Sequence, residues 1–243
     1  MKSREKTMSE KQVAVIVGVG PGLGFALVRR FASAGMSVAM AARNRKKLEQ
    51  LLEQAPLEGA RAYACDATDR AAVDHLFAEV ERDLGAPEVV VFNAGAFRPG
   101  GVLEIDPAEF EQCWRVGCFA GFLVGQAAAR RMVREGRGTI LFTGATAALR
   151  GSARFANLAV PKFGLRALAQ AMARELGPEG IHVGHVIIDG QIRSERYAPL
   201  AAERGPDALL EPDAVAEMYY QLHAQPRSAW TLELDLRPWI EKF

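Results

Sequence analysis

Short, almost wholly apolar runs alternate along the chain with longer stretches in which apolar residues recur at helical spacing. An apolar run of about four to eight residues between turn signals is typical of a strand that is buried on both faces. Seven such runs predict strands, at residues 12–18, 36–41, 60–65, 88–92, 139–143, 181–188 and 231–236.

Most of the intervening stretches predict helices, at residues 22–34, 45–54, 69–84, 106–134, 158–176 and 212–223. Asp69 and Asp106 stand where a capping side chain is expected at a helix N-terminus. Pro161 lacks the N–H that a helix interior needs, so we expect its helix to begin near Asn157 or to kink there. Residues 190–211 show neither an apolar run typical of a strand nor the apolar spacing of a helix, and they are predicted to be irregular.

The regular alternation of strand and helix predicts an α/β protein whose parallel sheet is covered by helices on both faces. Right-handed crossovers then give a three-layer, doubly wound, Rossmann-like sheet in a single domain. Ligands of such sheets bind beyond the carboxyl ends of the strands. The residues that follow predicted strands at that edge are candidates for a site, namely Gly18, Asp66, Asn93, Thr143 and Gly190.

Composition and charge narrow the possible functions. The 243 residues are 49% apolar and 24% charged, and a net charge of +1 offers no basic surface for nucleic acid. Without a run of about 18 apolar residues, no membrane span or membrane partner is expected. The three cysteines are an odd number without metal-ligand spacing, which suggests reduced thiols and a cytoplasmic location.

A glycine-rich loop joins the first predicted strand to the first predicted helix and reads Gly18-Val19-Gly20-Pro21-Gly22-Leu23-Gly24. Glycines let the backbone turn tightly and approach a pyrophosphate, while the helix N-terminus supplies N–H donors and partial positive charge. A plain glycine-rich turn is the alternative, but the flanking strand and helix favour a dinucleotide site. The candidate cofactor-binding residues here are Gly18, Gly20, Gly22, Leu23 and Gly24.

The end of the second predicted strand bears on which dinucleotide binds. NAD sites usually place an acidic residue about 20 residues beyond the loop, where it holds the ribose 2′-hydroxyl. Here the strand ends without an acid, at Arg43, with Arg45 and Lys46 close behind. A guanidinium fork fits a 2′-phosphate that a carboxylate would repel. The sequence therefore favours NADP(H), with NAD(H) still possible. The alternative for these basic residues is that they form the solvated start of a helix and bind no phosphate.

With these motifs in order, residues 12–236 resemble the short-chain dehydrogenase/reductase family. The glycine loop is similar to that family's TGxxxGxG motif, with Val17 in place of the threonine. Asp66 resembles its adenine-contacting acid, and Asn93-Ala94-Gly95 resembles the motif that steadies its central sheet. Lys162-Phe163-Gly164-Leu165 also resembles a family segment. The resemblance implies hydride transfer between a nicotinamide cofactor and a small-molecule substrate.

The family's catalytic residues are an asparagine, a serine, a tyrosine and a lysine, of which this sequence retains the lysine, at Lys162. The tyrosine is expected four residues before the lysine, where Leu158 stands, and the serine about thirteen residues before that, at Ala145. Gly117 takes the place of the asparagine. In the related enoyl reductases the tyrosine stands seven residues before the lysine, and that residue is Phe155 here. The resemblance therefore identifies an atypical member that lacks the usual serine and tyrosine.

The stretch 190–211 lies where the family has its substrate loop, and its Tyr197 is a candidate substitute for the missing acid. A tyrosine in such a loop is more often part of the pocket wall, so both roles stay open. The resemblance also implies that Ile192 and Ser194 contact the carboxamide of the cofactor and that Lys162 binds the nicotinamide ribose. Ile188-Asp189-Gly190 replaces the family's NPG motif at the start of this stretch.

Two functions stay open at this point. One is an NADP(H)-dependent oxidoreductase acting on a carbonyl, hydroxyl or enone compound; the other is an NADP(H)-binding pseudoenzyme, scaffold or sensor. The resemblance implies a homodimer or homotetramer. We expect residues 1–11 to form a flexible polar tail and residues 12–243 to form one NAD(P)-binding domain. His182 and His185 are expected to be core or surface residues, and no metal site is predicted.

Overall fold

The computed structural model describes residues 11–241. The predicted polar tail therefore lies outside the described residues, apart from Lys11. Seven parallel strands form one sheet in the order β3-β2-β1-β4-β5-β6-β7. They are β1 (Val13–Val17), β2 (Ser37–Ala42), β3 (Ala60–Ala64), β4 (Pro87–Phe92), β5 (Gly138–Thr143), β6 (Ile181–Ile188) and β7 (Glu233–Leu236). The predicted single-domain, doubly wound α/β fold is confirmed.

The described part of the chain forms eight α-helices, most of them within two residues of the predicted bounds. They are α1 (Leu23–Ser33), α2 (Arg45–Gln54), α3 (Arg70–Asp83), α4 (Pro107–Trp114), α5 (Ala120–Glu135), α6 (Ala156–Leu176), α7 (Ala198–Arg204) and α8 (Pro212–His223). Asp69 caps α3 by accepting a hydrogen bond from the backbone N–H of Ala71 over 2.8 Å. Asp106 caps α4 in the same way, as its position in the sequence predicts.

Both faces of the sheet are buried, which is why the strands read as uninterrupted apolar runs. One core lies between the sheet and helices α3, α5 and α6 and contains Phe77 and Phe92. The other lies between the sheet and helices α1 and α8 and contains Phe31 and Tyr219. The central strands are fixed from both sides, so the loops at their carboxyl ends stand on a rigid base.

The long helix predicted over residues 106–134 is present, but a π-helical turn at Arg115–Phe119 changes its hydrogen-bond spacing and divides it into α4 and α5. The residues of this turn are compatible with an ordinary helix, so the sequence carries no marker for the interruption. Gly117 lies in the turn and faces α6. A Cβ atom on Gly117 would lie 2.9 Å from Cβ of Pro161, so the turn and α6 approach each other too closely for a side chain.

The predicted irregular stretch 190–211 is partly wrong, since it contains helix α7 with short 3₁₀ turns on either side. The seven residues of α7 are too few for a helical period to be visible in the sequence. The two ends of the stretch are joined by a bridge between Ile192 and Leu210. The predicted start of α6 near Asn157 is confirmed, because the helix begins at Ala156 with Pro161 inside it.

Candidate functional site

The glycine loop between β1 and α1 is held tightly against the end of β4. Gly18 has φ +93°, and a Cβ atom on it would lie 2.4 Å from the backbone nitrogen of Ala94. The Asn93 side chain donates a hydrogen bond from Nδ2 to the carbonyl oxygen of Gly18 over 3.0 Å. Only glycine fits at this position, and the amide of Asn93 fixes the loop in place.

The N-terminus of α1 is open for an anionic ligand. Gly22 caps the helix without any side-chain hydrogen bond, and the first turn contains no acidic residue. A Cβ atom added at Gly20 or at Gly22 would meet no atom within 4 Å beyond the chain neighbours of that glycine. The N–H groups and the positive end of the helix dipole are therefore not neutralised by the protein itself.

Replacing Gly18 by alanine is expected to lower the free energy of unfolding by roughly 2–3 kcal/mol, because strain at positive φ adds to a backbone clash. Gly22→Ala is the matched control and should cost less than about 1 kcal/mol, since nothing surrounds its Cβ position. Urea denaturation of the two variants measures the difference. Equal stabilities would contradict the geometry of the loop.

A cavity of about 290 Å³ adjoins the glycine loop at the ends of β1, β3 and β4. Its lining includes the predicted residues Gly18, Gly20, Arg43, Asp66, Asn93, Ala94 and Gly95. Oδ1 of Asp66 accepts hydrogen bonds from the hydroxyl and backbone N–H of Thr68, over 2.7 and 2.9 Å. These bonds, and to a lesser degree the guanidinium groups of Arg43 and Arg115, lower the pKa of Asp66. An ionised acceptor thus faces this cavity.

Arg43 also borders a second cavity, of about 460 Å³, between the glycine loop and the start of α2. Its side chain is exposed. Among residues 11–241, no carboxylate lies within ion-pair distance of its guanidinium group. Arg45 differs, because its Nε donates to Glu49 over 2.8 Å. Arg43 is therefore the better placed of the two for an anion beside the loop.

A third cavity, of about 640 Å³ and larger than the other two, lies beyond β5 and β6, on the other side of the α1 N-terminus. Gly22, Leu23, Thr143, Ile192, Ser194 and Tyr197 line it, so the structure brings these predicted residues together. Ala145 and Leu158 line the same cavity. Phe97 and Phe155 pack beside them with ring centroids 4.8 Å apart and planes tilted by 30°, and they form an apolar wall.

Lys162 does not line this cavity. Its side chain is buried, and Nζ donates to the carbonyl oxygen of Thr143 over 2.6 Å. The Thr143 hydroxyl lies 2.8 Å from the hydroxyl of Tyr219, so Thr143 is engaged on both its backbone and its side chain. Burial lowers the pKa of Lys162 to about 8, because removal from water disfavours the charged amine.

Because the pKa of Lys162 differs between the folded and unfolded states, the free energy of unfolding is expected to depend on pH. Below the folded-state pKa of about 8, folding buries a charged amine, and the lost hydration lowers the stability of the folded protein. Above the unfolded-state pKa of 10.5, the amine is neutral in both states and this loss of stability is absent. Stability from this group therefore rises with pH between those values, by roughly 3 kcal/mol. The uncharged variant Lys162→Met should lack the rise. Urea denaturation of both proteins at pH values of about 7 and 10 tests this, and a constant difference between them would contradict it.

The polar floor of the large cavity was not predicted. Asp189 is buried there, accepts a hydrogen bond from Oγ1 of Thr146 over 2.5 Å and lies 3.3 Å from Nη2 of Arg237. The three residues are far apart in the sequence, and the sheet brings them together because β5, β6 and β7 are neighbours. The only signal in the sequence was the acid itself, which replaces an uncharged residue of the resembled NPG motif.

Gly24, a candidate cofactor residue, and the two histidines of β6 lie outside these three cavities. Gly24 is a packing residue, since a Cβ atom on it would lie 2.7 Å from Cα of Val19. His182 is buried and stacks on Trp230 at 5.0 Å, while His185 is buried on the same strand. Residues 11–241 contain no cluster of three or more potential metal ligands among His, Cys, Asp and Glu. No helix in this range is long and apolar enough to span a membrane.

Comparison with known proteins gives consistent results. The family model described as short chain dehydrogenase matches residues 12–205. A crystal structure of a short-chain dehydrogenase from Rhodopseudomonas palustris is 39% identical, covers 96% of this chain and 100% of that chain, and has a TM-score of 0.81. A 3-oxoacyl-[acyl-carrier-protein] reductase, MabA of Mycobacterium avium, is 32% identical over 181 residues, 74% of this chain and 67% of that protein. The crystal structure of a metagenomic short-chain oxidoreductase in complex with NADP is 27% identical, with a TM-score of 0.79 over 96% of this chain and 100% of that chain.

Proposed function

The chain belongs to the short-chain dehydrogenase family, and from this premise we propose that it is an NADP(H)-dependent oxidoreductase acting on a carbonyl, hydroxyl or enone compound. The nicotinamide cofactor would supply the hydride or accept it. The observation that carries the proposal is the open N-terminus of α1, which lies between two cavities at the carboxyl edge of the sheet. A dinucleotide has the same division into two halves around a pyrophosphate.

The residues of the glycine loop fit the proposed pyrophosphate position. The backbone at Gly18, Gly20, Gly22 and Leu23 offers an uncapped helix end and no side chain that would block a phosphate. Gly24 would contribute by packing the loop closely against α1. Phosphate binding at such a helix end needs no further charged group.

Selection of NADP(H) over NAD(H) is assigned in this proposal to Arg43. Its exposed guanidinium lies at the border of the two cavities next to the loop, where a 2′-phosphate would be held by a planar fork of donors. Asp66, Asn93, Ala94 and Gly95 would enclose the adenosine half. The NADP bound to the metagenomic relative supports this assignment by analogy.

The nicotinamide half would lie in the large cavity, against Thr143, Ile192 and Ser194. Lys162 would contribute from beneath the cavity surface. Its amine donates to the Thr143 carbonyl and would lie 3.9 Å from a Cβ atom added at Gly95. Contact with the ribose then requires the amine to exchange the Thr143 carbonyl for a ribose hydroxyl.

Proton transfer is assigned to Tyr197. We take Leu158 and Ala145 to occupy the positions of the family's tyrosine and serine, and neither side chain can exchange a proton. Tyr197 lines the same cavity from the segment between β6 and α8. A phenol in that place can protonate a carbonyl oxygen as hydride arrives, or accept the proton in the reverse direction.

The test of this function is a search for turnover. NADPH absorbance is followed by stopped flow against a panel of carbonyl and enone compounds, with NADP⁺ and alcohols as the reverse panel. Turnover above a heat-denatured control with at least one compound class is the expected result. No turnover with any class would overturn the enzymatic role.

The second candidate is a protein that binds NADP(H) without turnover, as a sensor or as a scaffold. The observation that favours it is the apolar character of Leu158 and Ala145 at the cavity surface. Calorimetry separates the two functions, because NADPH binding without turnover supports the second. The double variant Ala145→Ser/Leu158→Tyr should then gain carbonyl reductase activity if the cavity keeps the geometry of an active site.

We also propose that the protein assembles as a homodimer or homotetramer. Helices α5 and α6 pack closely, yet Phe122, Val160 and Phe163 on them are 39%, 46% and 43% exposed. Three such apolar side chains in neighbouring helices are typical of a surface that a partner covers. Light scattering of the purified protein gives its mass, and a monomer at micromolar concentration would contradict assembly.

A further inference from the structure

The direction of one hydrogen bond on the floor of the large cavity bears on which substrates fit. The hydroxyl of Thr146 donates its single hydrogen to Oδ1 of Asp189. An ionised carboxylate can only accept hydrogen bonds, so the proton of the pair must come from the threonine. Once that proton is engaged, the Thr146 oxygen keeps only lone pairs to offer to a ligand.

The arrangement is fixed by a cation from the neighbouring strand. Arg237, which follows β7, places Nη2 3.3 Å from Oδ2 of Asp189 and 2.6 Å from Oδ2 of Asp235. Oδ2 of Asp189 thus faces the guanidinium while Oδ1 faces Thr146, and a carboxylate paired with a cation accepts hydrogen bonds at both oxygens. Asp189 therefore remains an acceptor, and Thr146 remains committed to donating to it.

Both members of the pair face the cavity that would hold the substrate. Thr146 and Asp189 line it together with Leu158, Phe97 and Phe155. Thr146 is half-buried and contributes to the surface of the cavity. The two phenylalanine rings present an apolar surface beside this single acceptor.

We propose that Thr146 and Asp189 form a hydroxyl-recognition pair that selects the alcohol form of the substrate over its carbonyl form. In the bound, unreacted complex an alcohol can donate its O–H to the Thr146 oxygen, and it turns the same hydrogen to Tyr197 when hydride leaves; a ketone would instead bring a second acceptor against Thr146. Thr146 is the specificity-determining residue, and Asp189 is a positioning residue that acts through it. The substrate class is a secondary alcohol with an aromatic or other apolar body. This inference rests on the proposed function, because it assigns the large cavity to the substrate.

The experiment measures binding in complexes that cannot react. Dissociation constants of 1-phenylethanol are measured by NMR with saturating NADPH, and those of acetophenone with saturating NADP⁺. Wild-type protein is expected to bind the alcohol roughly tenfold more tightly than the ketone, the usual effect of one satisfied hydrogen bond. Thr146→Val should weaken alcohol binding roughly tenfold and leave ketone binding within about twofold.

The informative variant is Asp189→Asn, because an amide can donate to Thr146 and free the threonine proton for the ligand. The alcohol preference should then disappear or reverse in favour of acetophenone, which a purely structural role of Asp189 would not produce. Asp235→Asn is the matched control, since it removes another partner of Arg237 without touching Thr146. Asp235→Asn and Thr146→Ser should both keep the wild-type preference.

The outcomes separate this inference from the function it rests on. Three results overturn the hydroxyl-recognition pair: equal binding of the two probes by wild-type protein, an unchanged preference in both Thr146→Val and Asp189→Asn, or binding of neither 1-phenylethanol to the NADPH complex nor acetophenone to the NADP⁺ complex. The proposed function survives each of these results, because calorimetry of NADPH binding and the turnover panel test it without reference to Thr146 or Asp189. Protein that binds no NADPH would remove the proposed function, and the pair with it.

Discussion

Replacing Arg43 by glutamate is expected to weaken NADPH binding by roughly 100- to 1,000-fold while changing NADH affinity only a few-fold. The variant loses charge-assisted hydrogen bonds to the 2′-phosphate, typically about 1.5–3 kcal/mol, and adds repulsion of about 1 kcal/mol between like charges at a solvated site. NADH lacks the 2′-phosphate and is insensitive to both effects. Isothermal titration calorimetry with the two nucleotides measures the ratio directly.

The matched control for this experiment is Arg45→Glu, which makes the same charge change two residues away. Arg45 already pairs with Glu49 at 2.8 Å, so its loss should alter NADPH affinity by less than about tenfold. Equal losses in the two variants would show a general electrostatic attraction rather than a specific contact. An unchanged NADPH affinity in Arg43→Glu would remove Arg43 from the cofactor site.

Replacing Tyr197 by phenylalanine is expected to slow turnover of the best substrate in the panel by about 100- to 10,000-fold, the usual contribution of a placed proton donor. The ring and its packing are retained, so NADPH affinity should stay close to wild type. Steady-state kinetics and calorimetry on the same preparation check both halves of the prediction.

Tyr220→Phe serves as the control for the loss of a phenol. Tyr220 lies on α8, where its ring packs edge-on against Phe31 at 5.8 Å and under the guanidinium of Arg30, away from the large cavity. Its variant should keep the wild-type rate. A Tyr197→Phe variant that retains its rate within a few-fold would exclude the phenol as the proton donor and leave it a wall residue.

The sheet and most helices were predictable because their signals are local and consistent. Strands buried on both faces must be apolar throughout, and helix starts such as Asp69 and Asp106 carry side chains that satisfy free backbone N–H groups. The π-helical turn at Arg115–Phe119 had no such signal. Helix α7 was too short to show a period, so its segment was predicted to be irregular.

The candidate site was predictable only in part. Gly18 and its neighbours could be placed because a strand, a glycine loop and a helix occur in immediate succession. Arg43 could be placed because it ends a strand next to that loop, although its role in cofactor choice stays a prediction. The contact of Asp189 with Arg237 depends on the pairing of β6 with β7, which only the folded sheet reveals.

Lys162 shows a different limit of sequence reasoning. Its position on α6 was predictable, but its burial and its bond to the Thr143 carbonyl depend on how α6 packs against the end of β5. A sequence pattern can indicate that a lysine belongs to a site, whereas the partner of its amine is set by tertiary packing.

The central claim is that the loop between β1 and α1 binds a phosphorylated dinucleotide. Calorimetric titration of the wild-type chain with NADPH and with NADH tests it most directly. The expected result is saturable binding of one NADPH per chain, with NADPH bound more tightly than NADH. Absence of heat or saturation with both nucleotides, in reduced and oxidised form, would contradict the claim.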